Sequence, residues 1–137
     1  MKNKKVLIIG MAVLIVVLTI VGVIFGVMLY NNKNKEDVVE TYTYDIGQIY
    51  SNLKESHRII KCSITAEVTD EGLLEVFEKQ EPKTKDAITK IFRNKNEKDV
   101  EGMQGQINLQ KEIKQKLQEI LDNKDITNIY FKEFIVQ

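Results

Sequence analysis

From Val6 to Tyr30 the chain carries twenty-five consecutive residues without a charge, rich in Val, Ile, Leu and Met. As a helix rising about 1.5 Å per residue, this run is roughly 37 Å long. A hydrocarbon core of about 30 Å is crossed by such a helix with some tilt. A cleaved secretory signal has a shorter apolar stretch, about 7 to 15 residues, ending in a small-x-small site. The following "GVMLYNNKNKED" offers no such site, so the expectation is an uncleaved anchor. Lys2, Lys4 and Lys5 precede it with no acidic residue. By the positive-inside tendency that short end stays in the cytoplasm and the rest of the chain lies outside.

Charge follows the same division. The whole chain balances 20 basic against 20 acidic residues, yet from Lys33 onward the count is 17 against 20, a net charge of −3. No basic cluster there would track a phosphate backbone, which argues against nucleic acid as a partner. Cys62 is the single cysteine, so no internal disulfide forms and no zinc-finger set exists. The outer part must be held together by an apolar core.

Four segments result: a cytoplasmic end (1–5), a transmembrane helix (6–30), a connector (31–44) and an extracytoplasmic domain (45–137). The connector, "NNKNKEDVVETYTY", is polar at first and then gains Val38, Val39, Tyr42 and Tyr44. It is either a tether that lifts the domain off the lipid or a segment whose apolar side chains order against a partner.

Within the domain, "YDIGQIY" reads as a strand and "SNLKES" as a polar turn. In "RIIKCSITAEV", Ile60, Cys62, Ile64, Ala66 and Val68 alternate with Lys61, Ser63, Thr65 and Glu67, the period of a half-buried strand. The two strands form an antiparallel hairpin. Thr69 or Asp70 suits the N-cap of "EGLLEVFEKQ". Pro82 sits where a helix start tolerates it, ahead of a stripe of Ala87, Ile88, Ile91 and Phe92. These are two helices or one kinked helix. "NEKDVEGMQG" is a loop, and a third helix from about Gln104 to Leu121 presents Leu109, Ile113, Leu117, Ile120 and Leu121 on one face. Asn123 suits its exit.

The ending "ITNIYFKEFIVQ" has apolar residues at both parities, which is the pattern of a strand interior to a sheet and covered on both faces. Strict alternation puts Ile129, Phe131 and Ile135 on one side, and Tyr130, Phe134 and Val136 on the other. The strand is therefore placed beside the first hairpin with helices over at least one face, and the fold class expected is α+β, in the order ββαααβ, with an approximately three-stranded sheet.

Catalysis requires a nucleophile with a base, a matched carboxylate pair or a metal set. His57, the only histidine, falls in the polar turn, and Cys62 falls with the apolar set of its strand. Asp70, Glu71, Glu75 and Glu78 lie on a helix face among lysines. The glycines show neither the nucleotide nor the dinucleotide spacing. No enzyme, cofactor or metal site is expected. One pattern does bear on partners: Gly22 and Gly26 are four apart in the span and Thr19 extends their face, the small-residue spacing that lets membrane helices approach closely.

Several stretches together resemble the flagellar basal-body FliL family. They are the lysine-led single span, "IYSNLKES" with Asn52 and Leu53 at the turn, "RIIKCSITAEV", "EPKTKDAITKIFRNKNEKDVEG" leading into "LQKEIKQKLQEIL", and the ending "IYFKEFIVQ". Lys132 stands where that family commonly has threonine, and Gln118 where it often has asparagine. The resemblance implies a single-pass inner-membrane protein with a stomatin/SPFH-like outer domain. It also implies a homo-oligomeric ring around the MotA and MotB stator, and a role in flagellar rotation, motility, chemotaxis and swarming. Val38, Val39, Tyr42 and Tyr44 are then candidate stator or oligomer contacts, and Thr19, Gly22 and Gly26 candidate helix-packing positions, with membrane lipid as a further partner. The alternative is a membrane-anchored extracytoplasmic sensor or ligand-binding module.

Overall fold

The computed structural model describes residues 2–33 and 38–137; of the connector, residues 34–37 lie outside that description. The chain divides after Val38 into two units. The first holds α1 (Lys2–Lys33), a helix long and apolar enough to cross a membrane. Its large apolar side chains from Val6 to Tyr30 are all at least half exposed. Such a surface suits lipid, where a helix satisfies its own backbone.

The second unit is the head. It comprises β1 (Tyr42–Asn52), β2 (Ile59–Val68), α2 (Gly72–Lys79), α3 (Glu81–Arg93), a 3-10 turn (Lys98–Val100), α4 (Gly102–Ile120) and β3 (Ile126–Val136). The strands form one antiparallel sheet in the order β1-β2-β3, an α+β fold. Ile60, Cys62, Ile64, Ala66 and Val68 of the central strand are fully buried. They meet Leu73 and Phe77 of α2, Ile88, Ile91 and Phe92 of α3, and Leu109, Ile113 and Leu117 of α4 in one core. The helices therefore cover one sheet face, and the opposite face is left to polar side chains.

The final strand lies beside the hairpin as expected, at the edge next to β2. It departs from its sequence reading in its faces: its apolar residues other than Ile135 share the core side. Strict alternation fails because the pairing skips Thr127 and Lys132, each an extra residue in a β-bulge. With those skips, Ile126, Ile129, Phe131, Phe134 and Val136 all stand opposite the core-facing residues of β2. Ile126 and Ile129 are buried, Phe131 and Phe134 stack with centroids 5.3 Å apart, and Ile135 falls opposite Lys61 on the open face. Two bulges make a one-faced strand look two-faced.

β1 uses the same device. Its pairing skips Ile46, and Gly47 takes a φ of +88° that a side chain would resist. The phase shift lets both Ile46 and Ile49 reach the core while Tyr50 stays outside. The strand begins at Tyr42 rather than within "YDIGQIY", so Tyr42 and Tyr44, read from the sequence as connector, are strand residues here; Tyr44 stacks on Phe77 at 5.0 Å.

α2 and α3 are separate helices broken at Gln80, whose φ of −109° and ψ of 19° leave the helical region. Pro82 stands in the first turn of α3, where no intrahelical donor is lost. Asp70 serves the start of α2 through its carboxylate, which accepts the Gly72 amide at 2.9 Å. The exit of α4 is made by Asp122 at φ +49°, and Asn123 instead accepts the Asp125 amide at 2.7 Å. Gly105 is buried because the 3-10 turn lies against it: a Cβ there would meet the Val100 carbonyl carbon at 2.7 Å.

Candidate interaction surfaces

The histidine, the cysteine and the acidic side chains stand apart from one another. His57 is exposed in the β1–β2 turn. Cys62 is fully buried; burial, with a smaller push from Glu133, raises its thiol to about 12, so it packs as a small hydrophobe. Glu75, Glu81 and Asp86 each pair with a lysine four residues on, the helix spacing that brings opposite charges together. Among the described residues no cluster of three His, Cys, Asp or Glu could hold a metal. The hollow between α3 and α4, about 500 Å³, is lined by buried Ala87 and Ile91 and ringed by Lys83, Asp86, Lys90, Glu112 and Lys116. Those charged groups are exposed or half-buried. A small-molecule site usually has a few buried polar groups converging on the ligand, and this hollow has none.

The open sheet face is organised instead by cross-strand polar contacts. Lys132 of β3 reaches over the central strand to Asp45 of β1 at 2.9 Å. Glu133 accepts from Lys61 at 2.9 Å and from Gln48 of β1 at 3.3 Å, and Tyr50 donates to Gln48 at 2.9 Å. Glu67 accepts from Thr127, Asn128 and Tyr130. These donors, with Asn128 the strongest, hold the Glu67 carboxyl below its ordinary range; Lys132 does the same for Asp45. Two of the straps, Lys132–Asp45 and Gln48–Glu133, tie the edge strands together across β2. Lys132 is thus a bulge residue with a partner 87 positions away. Gln118 donates to the Ile126 carbonyl at 2.8 Å and fastens α4 to the start of β3. Spacing along the sequence gave no sign of either contact.

The candidate contact residues fall into two sets. On α1, the Thr19 hydroxyl donates to the Val16 carbonyl at 2.8 Å, so its polar group is satisfied within the helix. Gly22 and Gly26 have nothing within 4 Å of where a Cβ would stand, and that face is free for a neighbouring helix. Val38, the last residue of the first unit, is 92% exposed, and Val39, the first of the head, 60%, while Tyr42 and Tyr44 are half-buried against the core.

These features define a class: an apolar helix of membrane-spanning length followed by an α+β head with one open sheet face and polar surfaces. The family model for "Flagellar basal body-associated protein FliL" matches residues 43–137, which is the head from β1 through β3. The chain is 32% identical over 77 residues to the flagellar protein FliL of Aquifex aeolicus, covering 56% of this chain and 48% of that protein. It is 29% identical over 105 residues to the flagellar protein FliL of Bacillus subtilis, covering 77% of this chain and 74% of the relative. The chain belongs to the flagellar basal body-associated FliL family.

Proposed function

We propose that this protein is a non-enzymatic accessory component of the flagellar motor. It is a single-pass protein of the cytoplasmic membrane, with its N-terminus inside and its head outside. At the basal body it associates with the MotA and MotB stator, keeps stator units engaged under load, and so supports torque, swimming and swarming. The observation that carries this reading is the family match across the whole head. The long apolar helix supports the anchor, and three lysines ahead of the span support the orientation. Carboxylates committed to lysines and to sheet contacts suit a scaffold more than a hydrolase.

In this reading the head is stomatin/SPFH-like and closes a homo-oligomeric ring. Thr19, Gly22 and Gly26 pack against a membrane helix, and Val38 and Val39, with the start of β1 at Tyr42 and Tyr44, contact the stator or the next copy. Deletion of the gene, with swimming and surface-spreading assays and imaging of a tagged copy, tests it. Foci at flagellar bases and reduced spreading are expected. Normal motility with a diffuse membrane signal would overturn it, as would cross-linking in native membranes that gave monomers only.

A further inference from the structure

We propose that the leading edge of the sheet, along β1 from Tyr42 to Asn52, accepts an extended segment of a partner protein that carries lysine or arginine on alternate residues, adding a fourth strand beside β1. A three-stranded sheet leaves two edges whose backbone amides and carbonyls are free to pair with another chain. The two edges here are guarded very differently. β3 is interrupted by bulges at Thr127 and Lys132 and carries the charged pair Lys132 and Glu133. β1 has no lysine and no proline, and it pairs regularly from Tyr42 to Asp45 before its single bulge at Ile46. Ahead of it, Val38 and Val39 stand exposed. The eleven residues of β1 offer roughly 36 Å of pairing length, enough for an ordinary strand.

Charge selects the occupant. Glu40, Glu71 and Glu78 are exposed and have no ion-pair partner within 4.0 Å among the described residues. They sit beside the pairing segment: Glu40 is two residues before Tyr42, Glu71 three after Val68, which pairs with Tyr42, and Glu78 follows Phe77, on which Tyr44 stacks. After burial, the field of Glu40 and Glu71 raises the Tyr42 phenol, and at Tyr44 that of Glu81 and Glu78 outweighs the opposing Lys85. An incoming strand meets backbone groups along its length, two valines at its end and a negative rim. Main-chain bonds supply affinity in such strand addition, and side chains supply selectivity. An alternating basic and apolar segment matches all three features.

The inference rests on the contact role given above to Val38, Val39, Tyr42 and Tyr44, and specifies its chemistry. The test uses the full chain in phosphatidylcholine nanodiscs. The probe is a fluorescent ten-residue peptide alternating lysine with valine or threonine. Anisotropy is expected to report saturable binding, with slowed amide exchange at Tyr42–Asp45. N-methylating alternate probe amides blocks the ladder without changing charge. That change, replacing the probe lysines by glutamate, and the E40Q/E71Q/E78Q variant are each expected to weaken binding about tenfold or more. Absence of binding, equal binding of the N-methylated probe, or protection at β3 would each overturn the proposal. So would β1 protection that rises with protein concentration without probe, because the occupant is then a second copy. Probe binding at β1 by a protein that is diffuse in cells would sink the motor reading and leave this edge intact; normal foci without probe binding would do the reverse.

Discussion

Replacing Phe134 and Ile135 separately by alanine tests the bulge that sets the phase of β3. If Lys132 is the extra residue, Phe134 faces the core opposite Cys62 and Ile135 faces outward opposite Lys61. Removing a fully buried phenylalanine costs about 3–5 kcal/mol. Phe134 is half-buried and keeps a stacked partner in Phe131 at 5.3 Å, so about half that range applies, near 2 kcal/mol. Ile135 lies outside the core cluster, and trimming it costs about 0.5 kcal/mol or less. For a head of this size, 1 kcal/mol moves the midpoint by about 4–8 °C. The F134A protein is therefore expected to melt about 6–12 °C below I135A, followed by near-ultraviolet circular dichroism on the full chain in detergent.

Deleting Lys132 supplies an independent arm. Glu133 would then follow Phe131 directly, and the pairing of Phe131 with Ile64 and Phe134 with Cys62 would continue without a break. The deletion and K132A both lose the exposed ion pair to Asp45, worth about 0–1 kcal/mol, and should melt within a few degrees of each other. Equal costs for F134A and I135A, a larger cost for I135A, or a collapsed deletion protein would refute the assigned phase. A strand of strict alternation from Ile129 gives the reversed order, with Ile135 beneath the helices.

Three further outcomes are expected. Cys62, buried and with its thiol raised to about 12, should resist alkylation at neutral pH in the folded head and react fully once urea unfolds it; rapid labelling of the native protein contradicts this placement. Glu67 is held below the ordinary carboxyl value of 4.5 by its donors. Its contribution is therefore full above that value and lost as pH falls through the lower folded-state value. Wild type should consequently lose more stability than E67Q between neutral and strongly acid pH, and identical acid titrations of the two melting curves would sink the argument. G105A puts a methyl carbon 2.7 Å from the Val100 carbonyl carbon, an overpacking expected to cost about 1–3 kcal/mol in a denaturant titration, whereas G102A, which meets nothing within 4 Å, bears only the strain of its positive φ of +69°.

The limits of the sequence are clearest in the last strand and at the site. Apolar content told that "ITNIYFKEFIVQ" packs, but its faces depend on where the register slips, and a bulge leaves no mark in the order of residue types. Pairing with β2 is what makes Thr127 and Lys132 the extra residues. The candidate contact residues were legible in unequal measure. Small residues four apart in an apolar run share a helix face by spacing alone, so the proposal for Gly22 and Gly26 rests on sequence. Tyr42 and Tyr44 did need them: they resemble a solvated connector until Phe77, from a helix some thirty positions later, supplies the ring that Tyr44 stacks upon.

By itself the sequence determined what depends on neighbours along the chain: the membrane-length helix, the half-buried alternation of β2, the apolar stripes of α3 and α4, and the place of Pro82 at a helix start. Each follows from a local period or a single backbone restriction. Tertiary structure alone decided what depends on residues brought together from a distance, namely the separate helices at Gln80, the bulges that set the faces of β3, the straps from Lys132 to Asp45 and Glu133 to Gln48, and the difference between a guarded and an open sheet edge. Pairing of β3 with β2 fixes register through contacts 58 to 76 positions apart, and no local pattern encodes which residue the pairing will leave out.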